Sequence, residues 1–457
     1  MILFYLLILS LPMVDHPQFG YEIHGITVEK FLGVACFFVA LCYLPSRRSF
    51  PQFLATAQAR VFVAFTIMAV TSYVFMVTPF DWHGMVGNIF TELVFFIATC
   101  IFIDSRQRLE NSVLMLVAAI GLASLYLIKE WVTAIPLYGL SYRPGSVAGD
   151  PNIFSASAVT VLPIMVAFAL GRRGWKRSFG VVCLGVTLLA ILLAASRGAF
   201  LALAVLMLLQ MRDARHRGKF VAIGLVILLL FLISPVSPLD RLIHPSISDT
   251  QSSELRLQLW SISFRIIADH PILGVGLWQF APYMHKYMPP GLDLQFYVPH
   301  NTFLQTAVEL GLVGLALFLA IFFFTLVNLS RLRKVARSSG DVFMYSLATA
   351  LGNGIVAFAV AVFFVSAIHA RVFWFAVFLS TCLPAFLAKA VDKKAADDCD
   401  PAGGRAAVAA ALPLAAAKSV GDDQQHRSTV KVTGEDCSSP EVSDDIELQV
   451  DQLKIPR

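Results

Sequence analysis

Apolar runs broken by short polar gaps cover most of this chain, and they lack the every-other-residue alternation of half-buried strands. Twelve such runs fall near 2–14, 31–44, 61–78, 87–103, 112–129, 153–170, 179–195, 198–211, 219–234, 303–329, 343–365 and 372–390. Most approach the roughly 20 apolar residues that a helix needs to cross a bilayer, where each backbone N–H and C=O must be satisfied within its own segment. The pattern predicts an all-α, polytopic integral membrane protein with 12 transmembrane helices. The first run, Ile2 to Val14, is short for a span, but it has no basic residues ahead of it and no small-residue cleavage site. It therefore reads as a first span and not as a cleaved signal. One polar interval, 235–302, is much longer than the others and should form a loop carrying short helices. From Val391 the composition turns to Ala, Asp, Ser and Gln, and Ala406–Ala417 is too short to span. The expected organisation is a membrane domain over 1–390 and a disordered cytoplasmic tail over 391–457.

Composition agrees with the pattern. Hydrophobic residues make up 57% of the chain and charged residues 14%, with a mean hydropathy of +0.73; soluble domains carry about 25% charged residues. The net charge of +5 is best read as topology, because Lys and Arg collect in cytoplasmic loops. Five basic loops hold Arg47, Arg48 and Arg60; Arg106 and Arg108; Arg172, Arg173, Lys176 and Arg177; Arg212, Arg215, Arg217 and Lys219; and Arg331, Arg333, Lys334 and Arg337. All five share one side if both termini are cytoplasmic. The loops of the other side are 15–30, 79–86, 132–152, 196–198, 235–302 and 366–371, and these are poorer in Lys and Arg for their length. That parity puts Arg143, Arg197 and His300 in a common outer compartment. No nucleic-acid partner is implied. Of the seven cysteines none lies in the long loop, so no structural disulfide is expected.

Several polar residues stand out on the outer side. Arg143 lies in the Gly/Pro-rich turn Ser141–Asn152, ahead of an apolar run. Asp150-Pro151-Asn152 suits a helix entrance, with Asp or Asn accepting free backbone N–H groups and Pro in the first turn. A cap does not need a guanidinium, so Arg143 reads either as a lipid-headgroup contact or as an anion ligand. Arg197 sits in Ser196-Arg197-Gly198 between two runs with almost no loop. A charge so close to hydrocarbon costs about 2.5–3.5 kcal/mol at a helix centre. Arg197 either snorkels to the interface or lines a polar cavity and grips phosphate oxygens. His300, in Pro299-His300-Asn301, stands at a helix N-terminus whose dipole disfavours imidazolium and keeps a neutral base available. Asn301 reads as a cap. Arg256 and Trp260, four residues apart, fit an amphipathic helix on the membrane surface. His270, His285 and His300 have no metal-ligand spacing, so neither a metal site nor a cofactor is expected.

Taken together, these motifs resemble the O-antigen ligase and polymerase superfamily of bacterial membrane glycosyltransferases. The resemblance rests on Arg143 with Asp150-Pro151-Asn152, Ser196-Arg197-Gly198, and Arg256 with Trp260. It continues through His270-Pro271, Gly274-Val275-Gly276, Pro299-His300-Asn301, Leu304-Gln305 and Glu309-Leu310-Gly311 to Gly314, and covers roughly residues 30–390. It implies transfer of a glycan from undecaprenyl pyrophosphate to an acceptor hydroxyl, in the ligase branch a lipid A–core sugar, at the periplasmic face of the inner membrane. Arg143 and Arg197 resemble the family's pyrophosphate-binding arginines and His300 its catalytic histidine, with Arg256 and Asn301 as candidate acceptor or loop contacts. The chemistry is coherent. A lipid pyrophosphate leaves readily, so the protein needs cations for the developing charge and one base for the acceptor, not a carboxylate pair.

Repeat-unit polymerase and protein O-glycosyl ligase share this layout and differ in acceptor. A transporter is a more distant alternative, for which Glu92 and the Lys129-Glu130 pair are the best ionisable candidates.

Overall fold

In the computed structural model the described residues are 1–13, 28–43, 54, 56–75, 82–139, 142–211, 218, 224, 247–289 and 297–397. All of them belong to the first of two units, Met1–Ala415, the second being Ala416–Arg457. Every regular element among them is helical. In chain order these are α1 (Ile2–Ser10), α2 (Val28–Tyr43), α3 (Ala57–Val74), α4 (Trp82–Phe102), α5 (Arg106–Tyr138), α6 (Pro151–Gly171) and α7 (Trp175–Ala194). They continue with α8 (Arg197–Met211), α9 (Ile247–Asp269), α10 (Phe280–Met284), α11 (Thr302–Ser338), α12 (Val342–Ala361) and α13 (Arg371–Asp397).

Each predicted run overlaps a helix except 219–234, which apart from residue 224 lies outside the described residues. Among the described residues, five helices are long and apolar enough to cross a membrane: Arg106–Tyr138, Pro151–Gly171, Trp175–Ala194, Thr302–Ser338 and Val342–Phe364. Six further apolar helices among the described residues are shorter, so these residues do not by themselves establish 12 spans. Helix ends also extend past the apolar runs. α5 begins at Arg106, capped by the Ser105 hydroxyl on Arg108 N–H, and runs to Gly139 at φ +75°. Polar residues continue a helix once its backbone is committed, and hydropathy does not register them. Likewise α13 runs to Asp397, past the tail boundary expected at 390; Lys and Ala favour helix. The rest of the expected tail lies outside the described residues. Cys36, Cys42, Cys100, Cys183 and Cys382 are free thiols, and Cys399 and Cys437 lie outside the described residues.

The core is aromatic. Phe62, Phe96, Trp374 and Phe378 interlock with ring centroids between 4.8 and 5.9 Å apart, and Phe358 stacks on Phe373 at 4.4 Å. α6 packs on α7 and α12, and α12 packs on α8 and α11. At the α6–α12 crossing, Gly354 lies directly against the Thr160 carbonyl, where no Cβ would fit, the small-residue contact that lets helices approach closely in lipid.

α6 fixes two ends of the bundle about 30 Å apart. Asp150 and Arg143 lie at its start; Arg172 follows its last turn. At that far end Arg106 forms a two-pronged pair with Asp341, both bonds 2.8 Å. Glu110 there receives Arg172 and Lys176 at 2.8 Å each.

α11 is not one continuous rod. Gly311 has φ +69° and ψ −176°, which breaks it into Thr302–Leu310 and a longer second part. The loop after α9 fills the break: Val275 N–H donates to Val308 O (2.9 Å), Gly276 N–H to Glu309 O (2.9 Å) and Leu312 N–H to Pro271 O (2.7 Å). Backbone groups freed by the kink are thus satisfied by another backbone segment, as a low-dielectric setting demands. Gly274 and Gly311 sit at the contact, each with positive φ and with backbone where a Cβ would go.

Candidate active site

Three helix N-termini converge where the candidate residues lie. Asp150 caps α6, its carboxylate accepting Asn152 N–H at 2.6 Å and Ile153 N–H at 3.0 Å. Asn301 caps α11 through Leu304 N–H at 3.0 Å. α8 begins at Arg197, two residues after Ala195, which holds left-handed φ +47° and ψ +42°. A cavity of about 510 Å³ at the starts of α6 and α8 is lined by Arg143, Asn152, Arg197, Ser253, Arg256 and Trp260, among others; His300 and α11 are not part of its lining.

Arg143 reaches the cavity from its loop by donating Nε–H to Ala194 O at 3.0 Å and an Nη2 proton to Asn152 Oδ1 at 3.3 Å. Asn152 is therefore not the cap expected from sequence. Asp150 holds that role because it stands just ahead of Pro151 at the N-cap position, where its carboxylate reaches both first-turn amides; Asn152 already lies inside the first turn, where its side chain meets the Arg143 guanidinium. Asn301 is 5% exposed and its side-chain oxygen caps α11.

Arg256 and Trp260 correct the surface-anchor reading. α9 packs against α11, and both side chains line the cavity. Trp260 donates its indole N–H to Pro299 O at 2.9 Å, clamping the peptide before His300. Arg256 Nε is buried and, among the described residues, finds no acceptor. Burial, and secondarily the Arg197 charge, hold the Arg256 guanidinium below its usual pKa, against the pull of Asp150. Such crowding is unfavourable without an anion. Arg197 adds to it, since a cation at a helix N-terminus opposes the dipole by about 0.3–1 kcal/mol.

His300 is half-buried at φ +52°, a left-handed conformation uncommon for any residue with a Cβ. Burial lowers its pKa first, the Arg256 charge lowers it further, and Asp150 raises it. The imidazole is therefore neutral at physiological pH, the form that can accept a proton. Ser146, Ala195 and Trp278 are the other non-glycine residues at positive φ among those described. Ala195 lines the cavity and Ser146 stands three residues from Arg143. Backbone strain of this kind persists where a fixed geometry is needed.

Glu130 is a residue whose part the sequence did not reveal. Its carboxylate accepts Tyr142 O–H at 2.8 Å, Gly145 N–H at 3.4 Å and Ser146 N–H at 2.9 Å, so the loop on both sides of Arg143 hangs from it. Burial, then this contact, pushes the Tyr142 phenol up to about 12. The carboxylate once considered for transport is thus an anchor, and Glu92 is paired with His369 at 3.0 Å. Hydrogen bonds to a charged group contribute about 1.5–3 kcal/mol. Glu130→Ala should lower the thermal midpoint and open the 139–149 loop to protease, with Glu130→Gln intermediate. Unchanged proteolysis in Glu130→Ala would remove the anchor role. Among the described residues, no group of three His, Cys, Asp or Glu side chains could hold a metal.

Residues 179–319 match the family model described as O-antigen ligase. The match spans less than half of the chain and supports, in general terms, a function of the O-antigen ligase and polymerase type. The match includes Arg197, Arg256, Trp260, His300 and Gly311, while Arg143 precedes it. No curated protein matches the chain.

Proposed function

From that family segment, we propose that the protein transfers a glycan from undecaprenyl pyrophosphate to an acceptor hydroxyl, most simply a lipid A–core sugar, at the periplasmic face of the inner membrane. The observation that carries this reading is one cavity ringed by Arg143, Arg197 and Arg256 at the N-termini of α6 and α8, with His300 near enough to feel the Arg256 charge. Guanidinium forks and helix N-termini both favour a polyanion, and a diphosphate uses both.

His300 takes the proton of the acceptor hydroxyl. The acceptor oxygen then forms a bond to the anomeric carbon as the bond from that carbon to the phosphate oxygen breaks. The electron pair leaves with the lipid pyrophosphate, whose charge the arginines stabilise. Direct displacement inverts the anomeric centre. Arg143→Lys and Arg197→Lys should each lower transfer by roughly 10²-fold, since an ammonium cannot supply the two-pronged contact. Full activity in both would remove the diphosphate assignment.

A deletion strain, with its lipopolysaccharide and lipid-linked glycan resolved on gels, tests the whole reading. Long chains stranded on the lipid carrier are expected of a ligase. A core bearing one repeat would assign a polymerase with the same chemistry, and an unchanged glycan profile would overturn both.

A further inference from the structure

A second polar cluster lies beside the first turns of α11, built from side chains that do not line the arginine cavity. His369 Nδ1 stands 3.0 Å from Glu92 Oε1. The indole of Trp278 lies flat on the His369 ring, with centroids 5.2 Å apart and planes 12° apart. Three distant stretches of chain meet there: α4, the loop after α9, and the turn between α12 and α13.

Trp278 is the unusual member. It holds φ +63°, a conformation that costs a non-glycine residue energy and persists only where its surroundings impose it. Its neighbours Leu277 and Gln279 are 2% and 1% exposed, yet Trp278 itself is 44% exposed. The backbone is locked and the ring is turned outward, with one face backed by imidazole. Glu92, only 8% exposed, adds a carboxylate acceptor held in place by His369. A rigid aromatic face next to a fixed acceptor matches a pyranose ring, which offers an apolar C–H face and a rim of hydroxyl donors.

The cluster is also tied to the transfer site. Thr302, two residues after His300, donates its hydroxyl to Val365 O at 2.7 Å and accepts Ala367 N–H at 2.9 Å, fixing the turn that carries His369. The Trp278 loop is bonded to α11 through Gly276 N–H and Glu309 O, about 10 Å along the helix from Thr302. A ring bound there would be a neighbour of the reacting sugar on the same glycan.

We propose that Trp278, His369 and Glu92 form a saccharide subsite that stacks one pyranose ring of the glycan next to the site of transfer. This rests on the transfer reading above. The ring can come from the acceptor or from the donor chain, and the two are separable by kinetics.

With purified full-length protein in lipid nanodiscs, transfer is measured while varying a core-oligosaccharide acceptor, and separately while varying lipid-linked donors of one or many repeats. Trp278→Leu should raise one KM on the order of tenfold, the scale of a lost aromatic stack, with kcat little changed. Trp278→Phe should retain most of the affinity, and Glu92→Gln should lose part of it. A rise in acceptor KM assigns the acceptor glycan; a rise confined to long donors assigns the donor glycan. Unchanged KM values for both in Trp278→Leu would overturn the subsite and leave Trp278 as an interfacial side chain, for which Leu substitutes well. If the wild type transfers nothing, the transfer reading fails, and the subsite is tested alone. Lipid-free oligosaccharide should then change the fluorescence difference between wild type and Trp278→Phe, and no change would sink it.

Discussion

His300→Ala should lower glycan transfer by roughly 10²–10⁴-fold, the usual contribution of a positioned general base, while the protein accumulates to normal levels. The imidazole is neutral between the Arg256 and Asp150 charges, so losing it removes no ion pair and creates no unpaired charge. Wild-type transfer by this variant would exclude His300 from the chemistry. The pH profile gives an independent check. Burial and the Arg256 charge both lower the His300 pKa, so the reactive neutral form persists below the ordinary value of about 6.5. Activity should stay level as pH falls to that point and decline only at lower pH, when the ring is protonated. Asp150 opposes this shift, so Asp150→Asn, which can still cap α6, should move the acid limb lower still. A limb that moves up would reverse the assigned electrostatics.

The largest expected loss of stability comes from Gly274→Ala. Gly274 has φ +68°, and an added Cβ would stand 2.5 Å from the carbonyl carbon and oxygen of Glu309 and from Gly311 N. Those atoms are backbone and cannot swing away. A left-handed alanine costs about 1–2 kcal/mol, and overpacking against the α11 break adds about 1–3 kcal/mol. Gly340 is a matched control: its φ is +73°, but an added Cβ would meet nothing within 4 Å. Thermal unfolding in detergent should show Gly274→Ala well below Gly340→Ala, since both carry the conformational cost and only one carries the clash. Equal midpoints would show that the loop can withdraw from α11.

How much of this was legible in the sequence depended on how local the physics is. Asp150 and Asn301 read as caps because a cap is formed within four residues of chain. Asn152 carried the same local signal and misled, since its partner Arg143 approaches through a loop whose path is set by Glu130. Arg256 looked like a surface anchor because helical periodicity marks an amphipathic helix without saying what its faces meet. The glycines of Gly274-Val275-Gly276 and Gly311 registered as a motif, but their reason is a backbone-to-backbone contact between segments some 35 residues apart in sequence, a close approach that only glycine allows.

The sequence by itself determined that the chain is a set of apolar helices and that a histidine would stand at the head of α11, and its charge pattern put Arg143, Arg197 and His300 in segments expected on one side. These follow from hydropathy and chain connectivity, which are properties of neighbouring residues. Tertiary structure alone decided that the arginines share one cavity with Arg256 as their third member, that α11 breaks at Gly311 and is completed by the loop after α9, and that Trp278 is presented on His369. Those outcomes depend on which helices pack together, and the linear pattern does not encode the partners.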